Sequence, residues 1–320
     1  MQAIFITAAI ALISLLGLSA HAQPYPSRPI RLVVPVAVGG PTDIAARAIA
    51  KALQRSMGQS IVVENRTGAG GGIGAEFVAK AAPDGYTWLM TGPGPSTILP
   101  HLRKVSFDPI KDFAPVSLAV SFPTVITVNK SFPAESLGDL LNAARGGKAV
   151  TAAHSGNGGL AHLALALLNH MAKTDLVLVP YTGDAPVINA LLGGQVDMGL
   201  TTLFAAKPHL ESGRLKVLAN TGGRRSGALP QVPTVAEAAN LQGYQGVNFI
   251  GLLLPAGTPY DIIRKINEHL VAYLKTDEFK NLFPTDDVVA STPAEFEAFL
   301  REVNERNARL IQATGIKDGN

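Results

Sequence analysis

The sequence predicts an α/β protein folded as two lobes, each a series of βα units, with the chain crossing twice between them. Three observations predict it. Short apolar runs alternate with helical periodicity from residue 28 onward. A second βα series begins after a proline-rich break at residues 93–118. A late apolar strand in "VNFIGLLLPAGTP", from Val247, is followed only by amphipathic helices, as if the chain returned to its first lobe. We expect crossings near Ser121–Thr127 and Tyr244–Gly251, so that lobe 1 comprises residues 23–124 plus 248–320 and lobe 2 residues 125–247.

Residues 1–22 stand apart. Ile4 to Leu18 is apolar, and Ala20-His21-Ala22 is a small-x-small cleavage site, so a secretory signal peptide cleaved after Ala22 is expected. The apolar segment is shorter than the roughly 20 residues a membrane-spanning helix needs. With no cysteine in 320 residues, neither a disulfide nor a lipidated cysteine follows the signal. An exported, disulfide-free α/β chain of this kind points to the bacterial periplasm.

Arg28–Val36 reads as a strand whose unbroken apolar run suits burial on both faces. Pro41 stops that strand, Thr42 or Asp43 can cap the helix that follows, and Gly58 ends it. "SIVVEN" is the second strand, "TGAGGGIG" a glycine loop, "AEFVAKAA" a helix and "YTWLMTG" a third strand. This βαβαβ order implies parallel pairing with right-handed crossovers. Past the break, Thr124–Phe132 is a strand, "SLGDLLNAARG" a helix, and "AVTAAHSGNGG" a strand running into a second glycine loop. "LAHLALALLNHMAK", "DLVLVPYTG", "DAPVINALLGG", "QVDMGLT" and "RLKVLANTG" continue the alternation, and three helical segments from Pro259 close the chain.

Composition narrows the function. Hydrophobic residues at 47% against 16% charged imply a large core and exclude disorder. A net charge of +3, with basic residues scattered, argues against nucleic acid. No metal-ligand spacing stands out. Gly70-Gly71-Gly72-Ile73-Gly74-Ala75 fits a G-x-G-x-x-A dinucleotide pattern, but "YTWLMTG" ends without the acid that pattern requires, and no Gly-Lys-Ser/Thr is present. No cofactor is expected, and the plainer reading is a turn that lets a helix pack closely on the sheet. Ser155 with His154, His162 and Asp184 invites a hydrolase reading. No G-x-S-x-G elbow surrounds Ser155, so no catalytic residue is assigned. An exported enzyme on a similar scaffold is the alternative reading.

His154-Ser155-Gly156-Asn157-Gly158-Gly159 precedes a helix, and backbone N–H groups in such a turn converge on one point. That makes a carboxylate cradle, or simply a capped glycine turn. Asp43, Asp184 and Asp197 sit where helix caps are usual, though one of them would suit a ligand amine.

Several segments resemble the substrate-binding receptors of tripartite tricarboxylate transporters, the Bug-type periplasmic receptors. They are "YPSRPIRLVVPVAVGGPTDIAAR", "VVENRTGAGGGIGAEFVAKAAPDGYT", "VPYTGDAPVINALLGGQVDM", "PHLESGRLKVLA", "LPQVPTVAEA", "LLLPAGTP" and "STPAEFEAF", in the family's order across essentially the whole chain after the signal. The resemblance implies a type II periplasmic-binding fold, two lobes on a two-crossing hinge closing over a small carboxylate. It also implies the site. From lobe 1 it takes Val36, Val38, Gly39, Gly40 and Thr42, with Ser96 in a wall formed by Pro93–Thr97. From lobe 2 it takes His154, Ser155, Gly156, Asn157, Gly158, His162, Tyr181, Gly183, Asp184 and Asp197. The family often has an aromatic residue at Val36, a proline at Val38 and a small residue at His154, so the identity of the ligand does not transfer. A monomer is expected, handing its ligand to membrane permease subunits or to the periplasmic domain of a sensor kinase.

Overall fold

The computed structural model describes residues 24–284 and 287–316, so the expected signal peptide lies outside the described residues. The chain forms two mixed sheets joined through one strand. The first has the order β2 (Ile61–Asn65), β1 (Ile30–Val34), β3 (Thr87–Thr91), β9 (Val247–Pro255), β4 (Phe113–Asn129). In the second, β4 is followed by β7 (Met198–Thr202), β5 (Thr151–His154) and β6 (Val177–Pro180). Two further strands pair with β4: β8 (Leu215–Asn220) opposite β7, and the two-residue β10 (Asp287–Val288) opposite β9.

β1, β2 and β3 pair in parallel, as do β5, β6 and β7. The expectation of parallel sheets stops there, because β9 is antiparallel to both β3 and β4. A strand that arrives from the far side of the molecule is not bound by the handedness of a βαβ unit. β4 is also much longer than the strand expected from Thr124. Its first part, with Pro115 and Pro123, carries too many prolines to read as sheet. Residues Phe113 to Pro123 pair with β9, and Thr124 to Val128 pair with β7, so the partner changes between Pro123 and Thr124.

Each sheet buries both faces. β1 has only Arg31 exposed among its five residues, which is why its apolar run does not alternate. Helices α1 (Pro41–Met57) and α9 (Tyr260–Leu274) cover one face of the first sheet with Ile49, Leu53, Ile266 and Leu270. α2 (Gly72–Ala79) and the last helix, α11 (Pro293–Thr314), cover the other with Val78, Phe296 and Leu300. On the second sheet the layers are α4 (Leu137–Arg145) with α5 (Leu160–Ala172), and α6 (Asp184–Leu192) with α7 (Leu203–Glu211). Helices α3 (Leu99–Leu102), α8 (Val235–Ala239) and α10 (Asp277–Lys280) are short. α7 was not expected, since Pro208 interrupts its periodicity. A separate small cluster, Ile98, Leu160, Leu163 and Ile311, joins α5 to α11 and to the π-type turn Gly94–Ile98.

The glycine run has a packing reason. α2 lies so close to the end of β1 that a Cβ added at Gly74 would sit 2.9 Å from the Arg66 carbonyl oxygen and 3.0 Å from the Pro35 Cβ. Both obstacles belong to or adjoin the backbone and cannot swing aside. Gly74→Ala is therefore expected to destabilise by about 1–3 kcal/mol, read from the denaturant midpoint. An unchanged midpoint would mean the helix has room to retreat.

Candidate functional site

The loops at the carboxyl ends of β1, β2, β3 and β5 meet. Gly71 packs against Pro35 and Pro95, Gly94 lies against the carbonyl of Gly70, and Gly70 faces the carbonyl of Asn157. In open α/β sheets this is the end at which ligands bind.

Asp43 organises the first loop. It is 1% exposed. Its Oδ2 accepts from the Gly39 N–H at 3.0 Å and from Arg47 Nε at 2.9 Å. Its Oδ1 accepts from Asn65 Nδ2 at 2.8 Å, and the same amide donates to the Val36 carbonyl at 3.0 Å. Burial alone would raise the Asp43 pKa, but the bonds from Arg47, Gly39 and Asn65 and the Arg47 charge outweigh it and hold it below the usual value. The helix itself starts one step earlier than the expected caps. Gly40 is the N-cap, Pro41 opens the helix, and Thr42 stands half-buried in its first turn. Val36 is half-buried, whereas Val38 is 69% exposed at the tip. The Gly39 amide is thus committed to Asp43, which removes one expected donor.

The second loop is held by two imidazoles. His154, at the end of β5, and His162, in the first turn of α5, stack with ring centroids 4.7 Å apart and planes 14° from parallel. His154 Nδ1–H donates to the Gly156 carbonyl at 3.1 Å, and the Gly158 N–H donates to His162 Nδ1 at 3.2 Å. These bonds fix both tautomers. A carbonyl only accepts, so the proton of neutral His154 is on Nδ1 and its buried Nε2, which has no partner among the described residues, is an acceptor. The Gly158 amide, expected in the cradle, serves the histidine pair instead. Burial, with the neighbouring His162, pushes the His154 pKa down to about 4.

Ser155 and Asn157 are exposed, and the Ser155 hydroxyl bonds the Asp184 carboxylate. Asp184 opens α6 behind Gly183, its N-cap, and also accepts from the Thr202 N–H at 3.0 Å and the Thr202 hydroxyl at 2.6 Å. Burial raises its pKa despite these bonds. Asp184 therefore ties the β5, β6 and β7 ends together. Tyr181, whose N–H donates to the His154 carbonyl, is half-buried beside them.

Two expected site residues do not offer their polar groups to the meeting loops. Asp197 accepts from the Thr151 N–H and hydroxyl at 2.9 and 2.8 Å. Thr151 begins β5 and His154 ends it, so Asp197 sits at the opposite end of the sheet from the loop. It is a structural clamp, because an acid at the start of a strand cannot reach the strand's carboxyl end. Ser96 is buried and spends its hydroxyl on the Gly92 carbonyl at 2.6 Å. Arg103 was missed. Its guanidinium and the Asn157 carbonyl both lie beside Gly70, and nothing in the spacing of "LPHLRK" signals it. Among the described residues no group of three or more His, Cys, Asp or Glu is placed to hold a metal, and no helix is long and apolar enough to cross a membrane.

Comparison with known proteins identifies the family. Residues 45–316 match the model for the tripartite tricarboxylate transporter family receptor. The chain is 34% identical to the protein BugT of Bordetella pertussis over 302 residues, 92% of each chain. It is 38% identical over 248 residues to a protein encoded in the tcbD-tcbE intergenic region of a Pseudomonas species, covering 77% of this chain and 74% of that one. Among solved structures it is similar to an R. palustris protein with adipate, at a TM-score of 0.83 and 33% identity, covering 92% and 99% of the two chains. MatC from Rhodopseudomonas palustris with bound malate gives 0.81 and 32%, covering 90% and 100%. The periplasmic binding protein BugD gives 0.81 and 33%, covering 92% and 99%.

Proposed function

Because the chain belongs to the tripartite tricarboxylate transporter receptor family, we propose that it captures a small organic carboxylate between two lobes in the periplasm and delivers it to a membrane permease. Its family is one of solute-binding receptors, not of enzymes. The observation that carries the ligand class is that two proteins similar over nearly the whole chain hold adipate and malate. The lobes we assign are residues 23–124 with 248–320, and 125–247. The partner change of β4 at Pro123/Thr124 supports that division. Export would follow cleavage after Ala22.

The loop chemistry suits an acid held mainly by neutral donors. Asp43 and Asp184 are already engaged by protein groups, which leaves the exposed Ser155–Asn157 segment as the ligand-facing surface.

A thermal-shift and calorimetric panel of mono-, di- and tricarboxylates, with and without hydroxyl groups, tests this reading. A ligand at a hundredfold excess over its Kd should add about 2.7 kcal/mol of stability. If no carboxylate stabilises the protein, the proposed ligand class fails. The Ser155 hydroxyl is engaged by Asp184, so Ser155→Ala is expected to weaken the best ligand through a looser loop, by less than the roughly fivefold of one ordinary hydrogen bond, while folding is retained. An unchanged Kd would remove Ser155 from the site.

A further inference from the structure

We propose that a cavity beside β4 is a second ligand site, taking a small carboxylate with an apolar tail. It measures about 630 Å³, within the ~300–1,000 Å³ of small-molecule sites. Leu118, Ser121 and Phe122 of β4 line it, together with the segment 222–227, which follows β8, and with Asp287 of β10. None of its lining residues belongs to the loops of the candidate carboxylate site, so it is a separate site.

Its two sides differ in chemistry. Phe122, Val247, Val289 and Phe299 form an apolar side, while Arg224, Arg225 and Gln245 line the other. The Gln245 amide has a defined direction. Arg306 Nη1 donates to Gln245 Oε1 at 3.1 Å, so the oxygen faces α11. The amide nitrogen faces Gly223, where an added Cβ would lie 2.8 Å from Nε2. The cavity therefore has an oriented N–H donor beside two guanidinium groups. Arg225 is paired with Glu237, and Arg224 with Asp287 at 2.6 Å in an exposed bridge. Exposed bridges hold weakly, so an incoming carboxylate can replace Asp287 on Arg224 while its tail covers Phe122 and Val247. The lining combines β4 residues of the first sheet with the segment 222–227 that follows β8 of the second, so an occupant biases the angle between the two sheets.

The absence of cysteine makes the test direct. Ser226, which lines the cavity, is replaced to give Ser226→Cys, with Gly227→Cys as the alternative should the first fail to fold. Alkylation of the single thiol is timed against hexanoate. We expect saturable protection of fivefold or more, unaffected alkylation of a thiol at the exposed Val62, and loss of protection when Arg224→Gln and Arg225→Gln are added. Gly223→Leu, which fills the space beside Gln245, should abolish protection without altering binding of the best carboxylate from the panel. Absence of protection, protection surviving the loss of both arginines, or equal protection by uncharged hexanamide would each overturn the proposal. These outcomes read the cavity alone, so the proposed receptor function stands or falls separately.

Discussion

Asp43→Ala is expected to lower stability by about 2–4 kcal/mol and to abolish ligand binding at the candidate site. The carboxylate is buried and accepts from Gly39, Arg47 and Asn65. Its removal leaves the Gly39 N–H and one Asn65 N–H without their acceptor. Gly39 is exposed and the half-buried Asn65 keeps its bond to the Val36 carbonyl, so each loss falls toward the low end of the ~1–3 kcal/mol of an unsatisfied buried group. Arg47 is half-exposed and can turn to water, which keeps the cost below that of a fully buried ion pair. By the size scaling of unfolding entropy, the melting temperature should fall by roughly 3–6 °C. Asp43→Asn retains one acceptor and should lose less. The pH dependence follows from the sign of the shift. A carboxylate depressed in the folded state stabilises above its unfolded pKa, and that stability disappears as pH falls through the folded value. The wild type should therefore lose stability below about pH 4 faster than Asp43→Asn does. Equal acid sensitivity would show that the loop is held by something else.

The second large effect is also acid-dependent but lies in a different window. His154 is neutral when folded, with its pKa pushed down from 6.5 to about 4. The unfolded chain takes up that proton near 6.5, so it binds more protons than the native state throughout the interval between, and stability falls as pH falls. Between pH 7 and 5 the loss attributable to this one ring is about 2 kcal/mol. His154→Asn preserves a donor for the Gly156 carbonyl but cannot titrate. Denaturant midpoints of the two proteins across pH 5–7 give the difference. Parallel slopes would place His154 in contact with water rather than in the interior. A bound carboxylate near the ring would raise its pKa, so affinity for such a ligand should increase on acidification.

Much of this was legible in the sequence. The continuous apolar run of β1, the glycine loops after β2 and β5, and the ordered motifs identified the fold and the family. Periodicity reports burial, and burial is what places strands and helices. β4 and β9 were harder. Their antiparallel pairing is a contact between residues over a hundred positions apart, and prolines disguised half of β4. The site divided the same way. The loops were found because glycine and proline mark where a strand ends. What each polar group does was not readable, since it depends on neighbours distant in sequence. Asp197 and Asp184 look alike in the chain, yet one bonds Thr151 at the start of β5 and the other joins Ser155 to Thr202. Gly39 and Gly158 looked like free donors until Asp43 and His162 were seen to accept from them.

The seventeen residues of β4 complete both sheets, and this bears on how the molecule folds. Strand partners on either side of Pro123/Thr124 must be recruited to one continuous ribbon, so order in one half is templated on order in the other. The first sheet cannot be finished during synthesis and set aside as an independent unit, because β9, which completes it, leaves the ribosome only after β5 to β8. Its assembly waits for a segment more than a hundred residues downstream of β4. Mutations at the Pro123/Thr124 junction should accordingly slow refolding of the whole chain.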